Sequence, residues 1–428
     1  MVLPGSALAS IAETVYVNAR PFVMSRGDPI DVAIRAHVDA GALAGAATLV
    51  WRSGRVVHTA AVGCRDLVTN LPVERGTIFR LASMTKPVTT VAALTLYDEG
   101  RFTLDEPITR HAPELARLRV LRDPNGPLDQ TDAAERPITF GDLLTHRSGL
   151  TYGEFHRGPI SRAFAETLGG LMDNALGPEE WIARLGRLPL IDQPGAGFHY
   201  GLSTDLLGFL IARLEGISLG KVLERRLFTP LGMRDTGFIV PREKRTSRAG
   251  LCGFDAAGHL TALTTTPGGH ALGERADDMT FESGGQGLWS TVDDYLAFAR
   301  LFLGGGEVDG VRLLRPETCA MMASNQLTPD QRRTARMMGM SVFAAGHGYG
   351  MGVAVVMEPD QADPLRGRGG VGTVSWPGAY GGWWQADPSD DSVLIFLAHS
   401  MAELPQMANG IGLGAWSAIA EFHELASA

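Results

Sequence analysis

Strand-type segments lie near both ends of this 428-residue chain, and helical segments lie between them. Near the N-terminus, residues 47–51 and 56–59 are predicted to pair across a turn at Ser53 and Gly54. Near the C-terminus, residues 382–386 and 392–398 form a second predicted hairpin, and residues 350–357 are a further candidate strand. This order predicts an α+β protein in which the C-terminal half completes a sheet that the N-terminal segment begins.

Helical periodicity dominates the middle of the chain. We predict helices at about 83–99, from Thr139 onward, at 204–215 and 219–228, and at about 410–425, with Thr139 as a helix cap. These assignments divide the chain into a discontinuous sheet domain, 1–110 and 237–428, and a mainly helical domain, 111–236. The helical domain is therefore predicted to be an insertion into the sheet domain.

The composition excludes several classes of protein. Hydrophobic residues make up 45% and charged residues 20%, which is typical of globular proteins. A net charge of -9 argues against nucleic acid as a partner, because phosphate binding needs clustered basic side chains. The three cysteines have neither disulfide-framework nor metal-site spacing. No signal peptide begins at Met1 and no apolar run is long enough to span a membrane, so we expect a cytoplasmic enzyme with no membrane partner.

Two S-x-x-K motifs are the candidates for nucleophilic chemistry, since the sequence has no phosphate loop, zinc helix or G-x-S-x-G elbow. Ser83 and Lys86 form the first pair, and Ser218 and Lys221 form the second. Residues three apart share one face of a helix, so each lysine can lie beside its serine. A serine needs such a neighbour to take its proton. Both pairs also fit an ordinary N-cap serine, and the local pattern does not separate them.

The sequence around Ser83 resembles a known family. The resemblance covers roughly residues 30–425, in blocks that follow the family's order: 79–86 (FRLASMTK), 143–150 (LLTHRSGL), 194–205 (PGAGFHYGLSTD), 228–233 (FTPLGM), 283–291 (SGGQGLWST) and 376–378 (WPG). The chain is identified on these blocks as similar to class C serine β-lactamases, penicillin-binding proteins and family VIII carboxylesterases. The resemblance implies the serine β-lactamase/DD-peptidase-like fold, an antiparallel sheet flanked by helices plus a mainly helical domain.

The resemblance also implies roles for individual residues. Ser83 matches the family's nucleophile, Lys86 its motif lysine and Tyr200 the tyrosine of its Y-x-N motif. The backbone amides of Ser83 and Ala379 match the oxyanion hole. Ser218 falls in a segment that the family uses structurally.

Two positions of the predicted substrate site depart from the β-lactamase pattern. Leu202 replaces the asparagine of Y-x-N, and Trp376 replaces the lysine of K-T-G, as in family VIII esterases. With Gly378, these residues are predicted to contact substrate. Both changes make the cleft more apolar, which favours neutral esters with short acyl chains over anionic lactams.

Three further side chains, one tyrosine and two histidines, are also candidates for the catalytic site. Tyr152 is the alternative to Tyr200 for proton transfer, although its block is the family's structural one. His146 and His199 are expected to be structural, since most histidines in a chain of this kind do no chemistry.

The predicted function is therefore a serine carboxylesterase that works through an acyl-enzyme on Ser83, with weak β-lactam hydrolysis as a side activity. Its partner is a small-molecule ester, and no metal or cofactor is implied. The alternatives are a β-lactamase, D-aminopeptidase or acyltransferase of the same fold, or a penicillin-binding sensor that acylates and stalls. The sequence predicts no oligomeric state.

Overall fold

The structure is a computed structural model that describes residues 27–266, 270–273, 275–337, 339–343, 346–363 and 367–427. The signal-peptide prediction concerns Met1 and its neighbours and lies outside these ranges. Within them, no helix is both long and apolar enough to cross a membrane.

Each predicted helix has a counterpart in the structure, which also contains helices that were not predicted, such as Pro29–Asp39 and Val292–Leu303. Thr139 caps its helix in a capping box with Asp142, so both side chains satisfy backbone N–H groups at the helix start. The α-helices in the described residues are α1 Pro29–Asp39, α2 Thr85–Asp98, α3 Phe140–Leu144, α4 Pro159–Leu168, α5 Pro178–Leu185, α6 Ser203–Glu215, α7 Leu219–Leu223, α8 Thr229–Leu231, α9 Val292–Leu303, α10 Pro316–Met322, α11 Pro329–Thr334, α12 Leu404–Ala408 and α13 Gly414–Ser427.

In the residues that the structure describes, strands from both ends of the chain form one large sheet, and ten other strands form five short two-stranded ladders. The strands are β1 Gly45–Arg52, β2 Arg55–Asp66, β3 Leu71–Pro72, β4 Phe79–Arg80, β5 Arg119–Leu121, β6 Thr131–Ala133, β7 Cys252–Phe254, β8 Leu260–Ala262, β9 Trp289–Ser290, β10 Glu307–Val308, β11 Val311–Arg312, β12 Arg336–Met337, β13 Met340–Ser341, β14 His347–Tyr349, β15 Ala354–Val356, β16 Val374–Ser375, β17 Trp383–Asp387 and β18 Ser392–Ala398.

The large sheet has the order β14-β15-β16-β17-β18-β1-β2-β3, and its neighbouring strands are antiparallel. The first strand of the described residues therefore pairs with their last, and Leu49 lies opposite Ile395. This arrangement confirms the α+β class and both predicted hairpins. The division of the chain at residues 110 and 237 stays a prediction.

Both faces of the sheet are covered, which explains why its central strands read as continuous apolar runs. Ala46 and Val50 of β1 pack with Phe422 of α13 on one face. Ala47 and Leu49 point to the other face and join the main core. Successive side chains of a strand alternate between faces, so a strand with both faces covered needs apolar residues at every position.

The candidate strand at residues 350–357 is mostly wrong, because only Ala354–Val356 pairs with the sheet. The preceding residues turn instead, and the amide of Gly350 donates to the carbonyl of Val353. Gly352 has a φ of 75° and lies against α2, where an added Cβ would come within 2.5 Å of the Thr90 hydroxyl. The apolar pattern of this segment reflects packing on the helix as well as strand pairing.

A buried histidine in α13 predicts how stability depends on pH. His423 packs edge-on against Trp383, with ring centroids 3.7 Å apart. Neither of its ring nitrogens has a hydrogen-bond partner among the described residues. Burial lowers the pKa of His423 to about 3 from the ordinary 6.5. Below about pH 6.5, His423 therefore binds a proton in the unfolded chain but stays neutral in the folded chain. This difference destabilises the fold progressively as the pH falls.

We expect His423→Leu to flatten the acid side of the stability profile. A histidine of this kind lowers the free energy of unfolding by about 1.4 kcal/mol for each pH unit below its pKa in the unfolded chain. Between pH 7 and pH 5, the free energy of unfolding should therefore fall by roughly 2 kcal/mol less in the variant than in the wild type. Urea unfolding at the two pH values measures this difference. Carboxylates contribute equally to both proteins and cancel. Equal losses in the two proteins would contradict the prediction.

Candidate active site

The Ser83 segment is held by the strand before it and the helix after it. β4 pairs with β9, and the amide of Leu81 donates to the carbonyl of Leu288 at 2.8 Å. Ala82 follows with a φ of 45°, a strained conformation for a residue with a side chain. A single 3₁₀ turn, Ala82–Met84, then leads into α2. Ser83 is thus placed at the N-terminal end of a buried helix, where helix dipoles favour negative charge.

Lys86 lies beside Ser83, as the spacing of three residues predicts. Its ammonium nitrogen donates to Ser83 Oγ at 3.2 Å, to Tyr152 Oη at 3.0 Å and to the carbonyl of Gly285 at 2.9 Å. The side chain is fully buried. A lysine ammonium has three N–H donors, and three acceptors surround it here. These three contacts hold Lys86 in place beside the Ser83 oxygen.

A buried carboxylate supports the carbonyl that Lys86 contacts. Asp205, in the first turn of α6, accepts from the amide of Gly285 at 3.0 Å and from the Ser283 hydroxyl. Burial raises the pKa of Asp205, while the nearby charge of Lys86 works against that rise. Asp205 fixes the position of the Gly285 carbonyl through these two bonds, and it places negative charge near the lysine.

Tyr152 makes the hydroxyl contact with Lys86 that was expected of Tyr200. Tyr152 is buried, and burial raises its pKa well above the ordinary value of 10. A neutral hydroxyl at this position can accept the Lys86 N–H and still donate its own proton. The contact depends on two loops that approach closely, since a Cβ on Gly201 would lie 2.3 Å from the Thr151 backbone.

Tyr200 meets Lys86 through its ring. The ammonium nitrogen lies 4.6 Å from the centroid of the Tyr200 ring, a cation–π distance. The Tyr200 hydroxyl accepts a hydrogen bond from Trp376 Nε1 at 3.0 Å. Tyr152 and Tyr200 also contact each other edge to face, with ring centroids 5.7 Å apart. The structure therefore brings Ser83, Lys86 and both tyrosines into one cluster.

Two of the predicted substrate residues, Trp376 and Leu202, are buried. Trp376 is almost completely buried against Tyr200 and Tyr349, so its indole N–H serves Tyr200 directly. Leu202 is also buried, at the start of α6. Both side chains belong to the main core.

The turn after Trp376 lies against the Ser83 segment. Gly378 donates its amide to the carbonyl of Gly382 at 2.7 Å, and a Cβ on Gly378 would lie 2.5 Å from the Leu81 carbonyl. Ala379 is exposed in this turn, and its amide has no acceptor among the described residues. The Ala379 amide is thus available to a ligand, as an oxyanion-hole donor must be.

The second S-x-x-K motif behaves as a cap. The Ser218 hydroxyl accepts from the amide of Lys221 at 3.4 Å at the start of α7, and it donates to Glu282. Lys221 is exposed. The surroundings of Ser218 lack the buried lysine and the tyrosines that surround Ser83.

The two histidines near the cluster make structural contacts. His146 is buried with its ring 4.9 Å from that of Tyr200, and burial lowers its pKa well below the ordinary value of 6.5. His199 Nε2 pairs with Asp192 at 2.8 Å. In the described part of the chain, no group of three or more histidine, cysteine or acidic side chains is arranged to hold a metal ion.

The sequence did not predict that Lys86 contacts Tyr152 and the Gly285 carbonyl. It also did not predict that Asp205 supports Gly285. One signal was available for Asp205, because an acidic residue early in an otherwise apolar helix is rarely buried without a partner. Tyr152 carried no comparable signal. Its contact with Lys86 joins residues 66 positions apart, which local pattern does not report.

Comparisons with known proteins show the family of this chain. A family model described as Beta-lactamase matches residues 30–413. Protein Rv1367c of Mycobacterium tuberculosis is 44% identical over 377 residues, which cover 88% of this chain and 91% of that protein. Esterase EstB of Burkholderia gladioli is 30% identical over 374 residues, covering 84% and 87%. The solved structure of EstCE1, a hydrolase with promiscuous acyltransferase activity, matches with a TM-score of 0.73 at 26% identity, covering 91% of this chain and 97% of its own.

Proposed function

Because the chain belongs to the beta-lactamase family, on the family VIII esterase side of the serine β-lactamase and penicillin-binding-protein superfamily, we propose that it is a serine carboxylesterase for short-chain esters. One observation carries the proposal. Lys86 is buried and donates to Ser83 Oγ, while two tyrosines surround the same ammonium group. A serine held in this way has both a fixed position and a route for its proton.

In the proposed acylation step, Ser83 Oγ attacks the ester carbonyl and forms a carbon–oxygen bond. The carbonyl oxygen takes negative charge and is stabilised by the amides of Ser83 and Ala379. This step requires one member of the Lys86–Tyr200 pair in its deprotonated form, either the Lys86 amine or the Tyr200 phenolate, and the pair takes the Ser83 proton through that member. The bond to the alcohol then breaks, and the alcohol oxygen receives that proton from the Tyr200 hydroxyl.

Deacylation reverses these roles, with water as the attacking group. Water gives a proton to the Lys86–Tyr200 pair, its oxygen bonds to the acyl carbon, and Ser83 leaves and recovers a proton. The hydrogen bond from Trp376 Nε1 supports this relay, because an oxygen that accepts a hydrogen bond carries developing negative charge more easily. Asp205 and Gly285 act at one remove, by positioning Lys86.

The substrate site favours esters over lactams. Leu202 offers no amide for a lactam side chain, and Trp376 offers no charge for a lactam carboxylate. The indole N–H of Trp376 is in any case bonded to Tyr200. Losing a polar contact of this kind costs about 1–3 kcal/mol of binding.

Acyl transfer to an alcohol is the alternative that the comparisons favour most. EstCE1 is described as a hydrolase with promiscuous acyltransferase activity, and the acyl-enzyme proposed here could pass its acyl group to an alcohol in place of water. A β-lactamase or D-aminopeptidase would use the same acyl-serine. A sensor domain would acylate once and stall.

A direct comparison of substrates tests the proposal. We expect kcat/KM for p-nitrophenyl acetate or butyrate to exceed that for a chromogenic cephalosporin by at least about 100-fold, since two polar contacts at roughly 1.4 kcal/mol per tenfold are missing. Steady-state rates with both substrates measure the ratio. A faster reaction with the cephalosporin would support the β-lactamase alternative, and a single burst without turnover would support the sensor.

A further inference from the structure

A cavity of about 90 Å³ is lined mainly by residues of the helical region, 111–236. Leu202, two residues after Tyr200, lines it, and so does Gly153, which follows Tyr152. Its lining residues come from α4, from the Tyr152 loop, from the start of α6 and from the segment at His270: Gly153, Glu154, Ser161, Phe164, Ala165, Leu168, Gly169, Leu171, Leu202 and His270.

The walls of this cavity are fixed by packing and by hydrogen bonds. A Cβ on Gly153 would lie 2.7 Å from the Phe164 Cβ, so the glycine lets the Tyr152 loop pack directly on α4. The buried Asn174 amide donates to the carbonyls of Leu168 and Gly170 and ties down the end of α4. The cavity therefore has a defined shape before any ligand enters.

The lining is apolar with a polar edge. Phe164 and Leu168 are buried and belong to the main core, as does Leu202. At the edge, His270 Nε2 lies 3.5 Å from a carboxylate oxygen of Glu154. A ligand here would place an apolar group among the core side chains, while the His270–Glu154 pair stays at the edge.

We propose that this cavity binds the acyl chain of the ester, with Leu202, Phe164 and Leu168 setting its length; the inference rests on the esterase function proposed above. An acyl chain extends from the carbonyl carbon that Ser83 attacks, so its subsite has to adjoin the Ser83–Lys86 cluster. Gly153, which follows Tyr152, and Leu202, which lies two residues after Tyr200, both line the cavity, and we infer from them that it opens toward the cluster. The leaving alcohol is then bound elsewhere.

The size of the cavity limits the chain it accepts. A volume of about 90 Å³ is the room of roughly three water molecules at about 30 Å³ each, and a chain of roughly three to four carbons fills a similar space. Each methylene buried there improves binding about fourfold. A longer chain has to displace core side chains. The structure thus assigns a preference for neutral butyryl-sized acyl groups.

Three variants of α4 and a ladder of p-nitrophenyl esters test this assignment. The ladder runs from acetate through butyrate and hexanoate to octanoate. Leu168→Ala enlarges the cavity, and Ala165→Leu fills it. Ile160→Ala is the matched control, because Ile160 is a buried aliphatic residue of the same helix that does not line the cavity. A serine-directed fluorophosphonate counts the active enzyme in each preparation.

We expect the wild type and Ile160→Ala to share a maximum of kcat/KM at butyrate. Leu168→Ala should raise the ratio of hexanoate to butyrate by at least about tenfold, and Ala165→Leu should lower the ratio of butyrate to acetate by a similar factor. If Leu168→Ala fails to fold, Ala165→Leu decides alone. Unchanged ladders in the folded variants would overturn the acyl subsite and leave the esterase intact. A wild type that turns over no ester of the ladder would overturn both.

Discussion

Ser83→Ala is expected to lower ester turnover by roughly 10⁴-fold or more, because it removes the atom that forms the acyl bond. The fold should survive, since Ser83 has a small side chain and its hydroxyl accepts one hydrogen bond, from Lys86, among the described residues. Thermal unfolding and steady-state hydrolysis of p-nitrophenyl butyrate, measured on the same preparation, separate loss of chemistry from loss of structure.

Ser218→Ala is the matched control for this experiment. It alters the other S-x-x-K motif and removes an N-cap, which costs about 1 kcal/mol of stability. Its kcat should stay within about twofold of the wild type. Equal losses in the two variants, or a loss confined to Ser218→Ala, would show that the assignment of the nucleophile is wrong.

The second large effect is expected from the proton relay. Tyr200→Phe should lower kcat by at least about 10²-fold if its hydroxyl performs acid–base work, and Lys86→Ala should do comparable damage. The double variant should lose little more than either single one, because residues that act as a unit do not contribute additively. Steady-state kinetics on a butyrate ester, with folding checked by circular dichroism, measures all three.

Tyr152→Phe is the informative partner of Tyr200→Phe. It removes one acceptor of the Lys86 ammonium and leaves Ser83 Oγ and the Gly285 carbonyl in place. We expect a loss of about tenfold or less from this positioning role. The reverse order, with Tyr152→Phe far more damaged than Tyr200→Phe, would transfer the acid–base role to Tyr152.

The fold could be anticipated because its signals are local or carried by family resemblance. Turn residues between strand-type runs predict the two hairpins. The expectation that the C-terminal half completes the sheet is confirmed, because β1 pairs with β18. The prediction of a strand at 350–357 was mostly wrong for a physical reason, because the chain turns at Gly352 and packs there against α2. Apolar residues pack on a helix as well as in a sheet, and periodicity over eight residues does not distinguish the two.

Within the candidate site, contacts between residues close in sequence could be predicted, and contacts between distant residues could not. The contact between Ser83 and Lys86 follows from a spacing of three residues on one helical stretch. The bond from Trp376 to Tyr200 joins residues 176 positions apart, and no local pattern encodes it. The sequence therefore identifies the members of the cluster, while the structure supplies the pairing of each tyrosine with its partner.

The central claim is that Ser83 forms the acyl-enzyme, and covalent labelling tests it most directly. The full chain is treated with a serine-directed fluorophosphonate, residual ester turnover is followed in time, and the digested protein is mapped by mass spectrometry. The account predicts one adduct per chain, on Ser83, formed in step with the loss of turnover and absent from Ser83→Ala. An adduct on Ser218 or another residue, or complete labelling of Ser83 with turnover intact, would contradict it.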